Sequence, residues 1–165
     1  TSGYIEFKET NRGLQIKISI SGISPGKHGI HIHEYGNLTK GCHSTGGHYN
    51  PKNENHGCRY PHKHIGDLVN NITPNADGKV QLIFHDAHIK VKDVVGRAIV
   101  IHYLPDDLGK QGYARYSLSQ LQTMAKERGY KVYKTKNALV KKFNRMSLVT
   151  GNAGGRMACA IIGRN

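Results

Sequence analysis

The chain has no run of apolar residues approaching the roughly 18 that a helix needs to cross a bilayer, so helical membrane spans are excluded. Tryptophan is absent, and there are only five prolines and three cysteines. Cys42, Cys58 and Cys159 are too few for the disulfide framework of a small secreted domain, and one stays unpaired if two join. Acidic residues are scarce too. Eleven Asp and Glu face 24 Lys and Arg, and the formal net charge of +13 implies attraction to anions or a merely soluble basic surface. No signal-type segment opens the chain, and cytoplasmic residence is the expectation that follows.

What is present favours one all-β domain over residues 1–165, long enough to bury its own core. Glycine is abundant, at 20 residues. Short β-type runs appear at 4–7, 14–20, 28–33, 79–84, 97–102 and 157–163, each bounded by Gly, Pro, Asn or Asp. Asp77-Gly78 reads as a hairpin turn leading into the fourth run. Residues 34–66 form a long histidine-rich stretch without hydrophobic periodicity, and a loop of that length in a compact domain is usually functional.

Residues 113–149 break the β pattern. Leu118, Leu121 and Ala125, then Leu139, Phe143 and Met146, recur at helical spacing and predict an inserted helical hairpin. Ser117 or Ser119 is the expected cap of its first helix, Gly129 its end, and Asn137 the cap of the second. The insertion holds nine Lys and Arg against one Glu, +8 of the total +13.

Histidine carries the chemistry. In "HGIHIHEYG" (28–36) the strand period puts His31 and His33 on one face and Ile30 and Ile32 on the other. In "AIVIH" (98–102) Ile99 and Ile101 face opposite to His102. Two such strands side by side would offer three imidazole nitrogens, which suit copper or zinc, although a His-x-His pair alone is as compatible with a solvated pair. His48, His56, His64 and Asp67 add three imidazoles and a carboxylate, a tetrahedral zinc set, on spacers rich in Asn, Pro and Gly. His28, His43, His62, His85 and His88 read as surface or structural residues.

The segments "GKHGIHIHEYG", "GCHSTGGHYNP", "HIGDL", "GRAIVIHYLPDDLGK" and "TGNAGGRMACAIIG", in this order, closely resemble the signature segments of copper/zinc superoxide dismutase. Enzymes of that family are known examples of sandwich architecture, of steered association and of near-diffusion-limited catalysis. The resemblance implies an eight-stranded Greek-key barrel or sandwich. It implies copper on His31, His33, His48 and His102, and a structural zinc on His48, His56, His64 and Asp67, with His48 shared. It implies dismutation of superoxide to oxygen and hydrogen peroxide by alternating reduction and oxidation of the copper, with His48 also donating a proton, as antioxidant defence. Asp106 would join His31 to His56 and fix their rings, while Asp107 reads as a turn residue. Arg156 would attract and position the anion. Cys42 and Cys159 match the family's internal disulfide, leaving Cys58 as a free thiol. A homodimer is expected, with Ile162 as an apolar contact.

Two departures accompany the resemblance. The opening "GYIEFKE" resembles the family's second strand, so a first strand is expected to be missing and an edge exposed. The loop after "DDLGKQG" is about thirty residues longer than the family's short electrostatic loop. "LSQLQTMAKERGYKVYKTKNALVKKF" resembles SAP-type nucleic-acid-binding motifs, with a basic lobe packed on the barrel as the plainer reading. The alternative function is therefore a non-catalytic dismutase-like protein that binds metal or a partner and carries a nucleic-acid-binding insertion.

Overall fold

The computed structural model describes residues 1–164. Eight strands and three α-helices follow in chain order, with short 3-10 turns between them: β1 (Ser2–Thr10), β2 (Gly13–Ser21), β3 (His28–His33), β4 (Thr39–Cys42), β5 (Asn71–Ile72), β6 (Val80–Asp86), α1 (Val91–Val94), β7 (Ala98–His102), α2 (Leu118–Glu127), α3 (Lys136–Thr150) and β8 (Arg156–Ile161). One antiparallel sheet runs β1-β2-β6 and the other β5-β3-β7-β8.

Alternation explains the first sheet. Along β2, Leu14, Ile16, Ile18 and Ile20 are buried while Gln15, Lys17 and Ser19 lie on the opposite, more open face. These isoleucines meet Ile30, Ile32, Ile99 and Ile101 of the second sheet in one apolar cluster. β3 and β7 are buried along their whole length, so a second set of side chains lies under the loops on their outer face. His31 and His33 stand there opposite Val100 and Ala98, as their period requires.

Some expectations need correction. The Asn75–Gly78 turn is present, with the Gly78 amide donating to Asn75 O at 3.0 Å, but it joins no hairpin. β5 pairs with β3 and β6 with β2, so the turn carries the chain from one sheet to the other. Ile162 is 7 % exposed within the core cluster; its neighbour Ile161, 49 % exposed, faces out. Among the described residues no strand pairs β1 to β8, and a groove of about 880 Å³ runs between them, so the sheets form an open sandwich.

The helical insertion has its own core. Leu121 and Ala125 of α2 pack on Leu139 and Phe143 of α3, with Tyr113 stacked on Phe143 at 4.8 Å between ring centroids. Ser117 caps α2 in a reciprocal box with Gln120, and Gly129, at φ +68°, follows its end. α3 begins earlier than Asn137 would place it, because Thr135 accepts from the Ala138 amide at 3.4 Å. Met146 is only half-buried; Ser147 takes the inward position beside it. Phe143 is fully buried in this small cluster, so Phe143→Ala should destabilise the lobe by about 3–5 kcal/mol. The check is circular dichroism on heating, where helical signal should be lost before sheet signal.

Candidate metal centre

β3 and β7 place the first group. Their register sets Gly29 beside His102, and a Cβ at Gly29 would meet Ala153 Cβ at 2.8 Å and His31 Cε1 at 3.1 Å, so only glycine leaves room for these rings. His48 arrives from the loop on a bridge to His33, with the Tyr49 amide bonded to Ile32 O at 2.8 Å. Its ring stacks on His31 at 3.9 Å. The ligand atoms of His31, His33, His48 and His102 all lie within 4.8 Å of one another, and all four residues are buried.

His48 belongs to a second group with His56, His64 and Asp67, equally compact and buried. Asp67 Oδ1 lies 2.9 Å from His48 Nδ1, 3.0 Å from His56 Nδ1 and 3.1 Å from His64 Nδ1. His64 Nδ1 and His48 Nδ1 are 3.4 Å apart. Tetrahedral zinc with bonds near 2.0–2.1 Å requires ligand-to-ligand edges of roughly 3.3 Å, and these separations approximate that figure. The short backbone helix at Ile65–Asp67 aims the carboxylate: its Oδ2 accepts from the His64 amide at 2.9 Å.

Asp106 ties the groups together. Its Oδ2 accepts from His31 Nε2 at 2.7 Å and its Oδ1 from His56 Nε2 at 2.9 Å. Each ring thereby donates through Nε2 and keeps a bare Nδ1. His31 Nδ1, His48 Nε2 and His56 Nδ1 are buried with no hydrogen-bond partner among the described residues. A bare buried nitrogen of this kind costs about 1–3 kcal/mol unless something accepts its lone pair. His56 Nδ1 is near Asp67 without hydrogen-bond alignment, as two atoms sharing one ion would be. The donor sets fit copper at the all-imidazole group and zinc at the mixed one.

Electrostatics keep most of these ligands unprotonated. Burial, and then neighbouring imidazoles, lower His31 and His48 well below their ordinary value, and His33 to about 2. Burial also takes His102 down to about 4. His56 differs: burial opposes its charge, but Asp106 and Asp67 outweigh burial and raise it to about 10, so without metal Nδ1 binds a proton that a zinc ion would displace. Arg156 lies opposite His102 across β7 and β8, at a bulge. Its guanidinium donates to Cys42 O, Gly46 O and, at 2.8 Å, Thr45 Oγ1. Cys42 is bonded to Cys159 of β8, with Cα atoms 5.7 Å apart, so bridge and guanidinium pin the same loop. Cys58 is free and exposed.

All the metal-site positions expected from the sequence therefore converge. The contribution of the insertion was not expected. Asp107 is no mere turn residue: it accepts from Tyr113 Oη at 2.7 Å, Ser147 Oγ at 2.9 Å and Asn152 Nδ2 at 2.8 Å. The His56 amide donates to Leu148 O of α3 at 2.7 Å. Gly151 ends α3 at φ +60°, where a Cβ would collide with the Asp106 carboxylate and His56 Nε2. Gly151 was not among the expected positions; a glycine directly after the helical run is the signal that could have found it. His28, taken as structural, is buried between Ser24 O and His102 O.

The family model described as Copper/zinc superoxide dismutase (SODC) matches residues 1–162. The chain belongs to the copper/zinc superoxide dismutase family. It is 38% identical over 167 residues to the "Superoxide dismutase [Cu-Zn]" of Onchocerca volvulus, covering 98% of this chain and 87% of that one. It is also similar to the crystal structure of the clock protein EA4, with a TM-score of 0.74 and 31% identity over 96% of this chain and 84% of that one. The activity is dismutation of superoxide and the cofactors are copper and zinc. No helix among the described residues is long and apolar enough to cross a membrane.

Two outcomes follow. Between pH 6.5 and 4 the unfolded chain protonates the four histidines whose folded values are lowered, while the folded chain does not, so stability falls as pH falls. His56 has the opposite sign, its contribution being complete below about 6.5 and lost as pH rises through about 10. The melting temperature of metal-free protein, read by scanning calorimetry, should therefore drop steadily from pH 7 to 4. Gly151→Ala should weaken zinc binding about 10–100-fold by displacing Asp106 and His56, read by competition with a zinc chelator.

Proposed function

We propose that His31, His33, His48 and His102 hold the copper of this dismutase, and that His48, His56, His64 and Asp67 hold its zinc. The bare, buried nitrogens of His31, His48 and His56 carry this assignment. Copper held there would supply one-electron redox chemistry, and zinc, which is redox-inert, would supply structural support at His48. The net change is two superoxide anions and two protons giving one oxygen and one hydrogen peroxide. His48 holds one of those protons at Nε2 and passes it to the departing peroxide. Arg156, anchored on four backbone and side-chain oxygens of the loop, keeps its positive charge beside His102 and draws in the small anion. Asp106 keeps the His31 and His56 rings turned inward. In this reading residues 1–165 are one dismutase domain, with 113–149 an insertion in its electrostatic loop.

A homodimer is the proposed assembly. Exposed Tyr35 and Ile161 support it, and a Cβ at Gly36 would lie 3.1 Å from Ile161 Cγ2, so the two segments form one apolar patch. The cytoplasm is the proposed location, since the exposed thiol of Cys58 suits a reducing compartment.

Pulse radiolysis tests the catalytic reading. Copper- and zinc-loaded protein should remove superoxide at a rate that falls as salt rises, and Arg156→Gln should lower the low-salt rate about tenfold or more with metal content unchanged. A fully loaded protein no faster than metal-free protein would overturn it. Superoxide and a second copy of the chain are the only partners this function needs; the charge on the helical pair is left unused.

A further inference from the structure

We propose that the basic face of the α2–α3 pair is a nucleic-acid-binding surface that takes the phosphodiester backbone, a function beyond dismutation. Lys126, Lys131, Lys134, Lys136, Lys141 and Arg145 of the insertion are all exposed, and Lys141 and Arg145 share one side of α3. Among the described residues only one of the insertion's nine cations, Arg128, has a carboxylate within ion-pair distance: Glu127, at 3.4 Å. The rest are left with unneutralised charge on a rigid support, because both helices are capped and share a closed core.

The face is also shaped. A shallow pocket of about 290 Å³ is lined by Tyr133, Ala138, Lys141, Lys142 and Arg145. Lys141 and Arg145 are one helical turn apart, so both reach the same side, and small Ala138 lies one turn before them. Cations stand beside aromatic rings: Lys131 over Tyr133 at 5.5 Å and Arg115 over Tyr116 at 4.9 Å. Unpaired cations with interleaved rings match a backbone of phosphates carrying stackable bases.

A lipid surface fits less well. A helix lying on a bilayer inserts an apolar face, yet here the apolar faces are turned against each other through Leu121, Ala125, Leu139 and Phe143. The large apolar side chains exposed on the insertion are only Val132 and Val149. Superoxide steering alone would need the charge near Arg156, not a pocket on α3 with rings in the segments that precede the helices.

The test is fluorescence anisotropy with the copper- and zinc-loaded protein and labelled DNA of about 20 nucleotides, single-stranded and duplex, from about 50 to 200 mM salt. Lys141→Gln/Arg145→Gln removes two charges from the pocket. Lys8→Gln/Lys79→Gln removes two exposed charges from the β1-β2-β6 side of the sandwich. Dismutase activity reports that each variant is folded. Binding by the unaltered protein, with a log-affinity against log-salt slope reduced by about 2 in the pocket variant and unchanged in the other, is the result expected. Equal weakening in both variants, no binding at low salt, or binding to phosphatidylserine vesicles as tight as to DNA would each overturn the proposal.

Discussion

One carboxylate holds the centre together. Asp106 accepts from His31 on β3 and from His56 in the long loop, residues that belong to different metal groups and to parts of the chain far apart in sequence. A carboxylate is suited to this because its two oxygens accept along separate directions, so both rings are oriented by a single residue. Without it the two imidazoles could present either nitrogen. The arrangement of the sheets, the loop and the helical pair can be understood as what brings Asp106 to its place and keeps water from it.

The sandwich supplies rigidity to one side. β3 and β7 are buried on both faces, so their histidines stand on strands that cannot slip by one residue without turning Ile30, Ile32, Ile99 and Ile101 out of the core and imidazoles into it. The other side is built from loop, and loops are ordered here by backbone bonds to strands, as when Tyr49 bonds to Ile32. The disulfide and Arg156 act on the same segment near Cys42, so covalent and polar restraints coincide there.

Much of this was legible in the sequence, for physical reasons. Period-two alternation fixes which side His31, His33 and His102 take, and strand existence follows from β-branched runs, so the longer strands fell within a few residues of their places. β4 and β5 are four and two residues long, too short to carry a pattern. The Asn75–Gly78 turn is local chemistry and cannot say whether the next strand pairs back or crosses to the other sheet. Ile161 and Ile162 are both apolar, so sequence alone does not choose which faces the core. Asp107 was invisible because its partners, Tyr113, Ser147 and Asn152, are polar residues brought together only when the insertion folds.

Asp106 and Asp107 are neighbours in the chain, yet one serves the metal pocket and the other anchors the helical pair. A single peptide bond thus joins two machines. The His56 amide is bonded to Leu148 O as well, so the helices touch the histidine cluster at two points. The insertion is therefore not an ornament that could be trimmed back to a short loop. It is an outer wall of the pocket, set against Asp106 and His56 through Gly151 and Leu148.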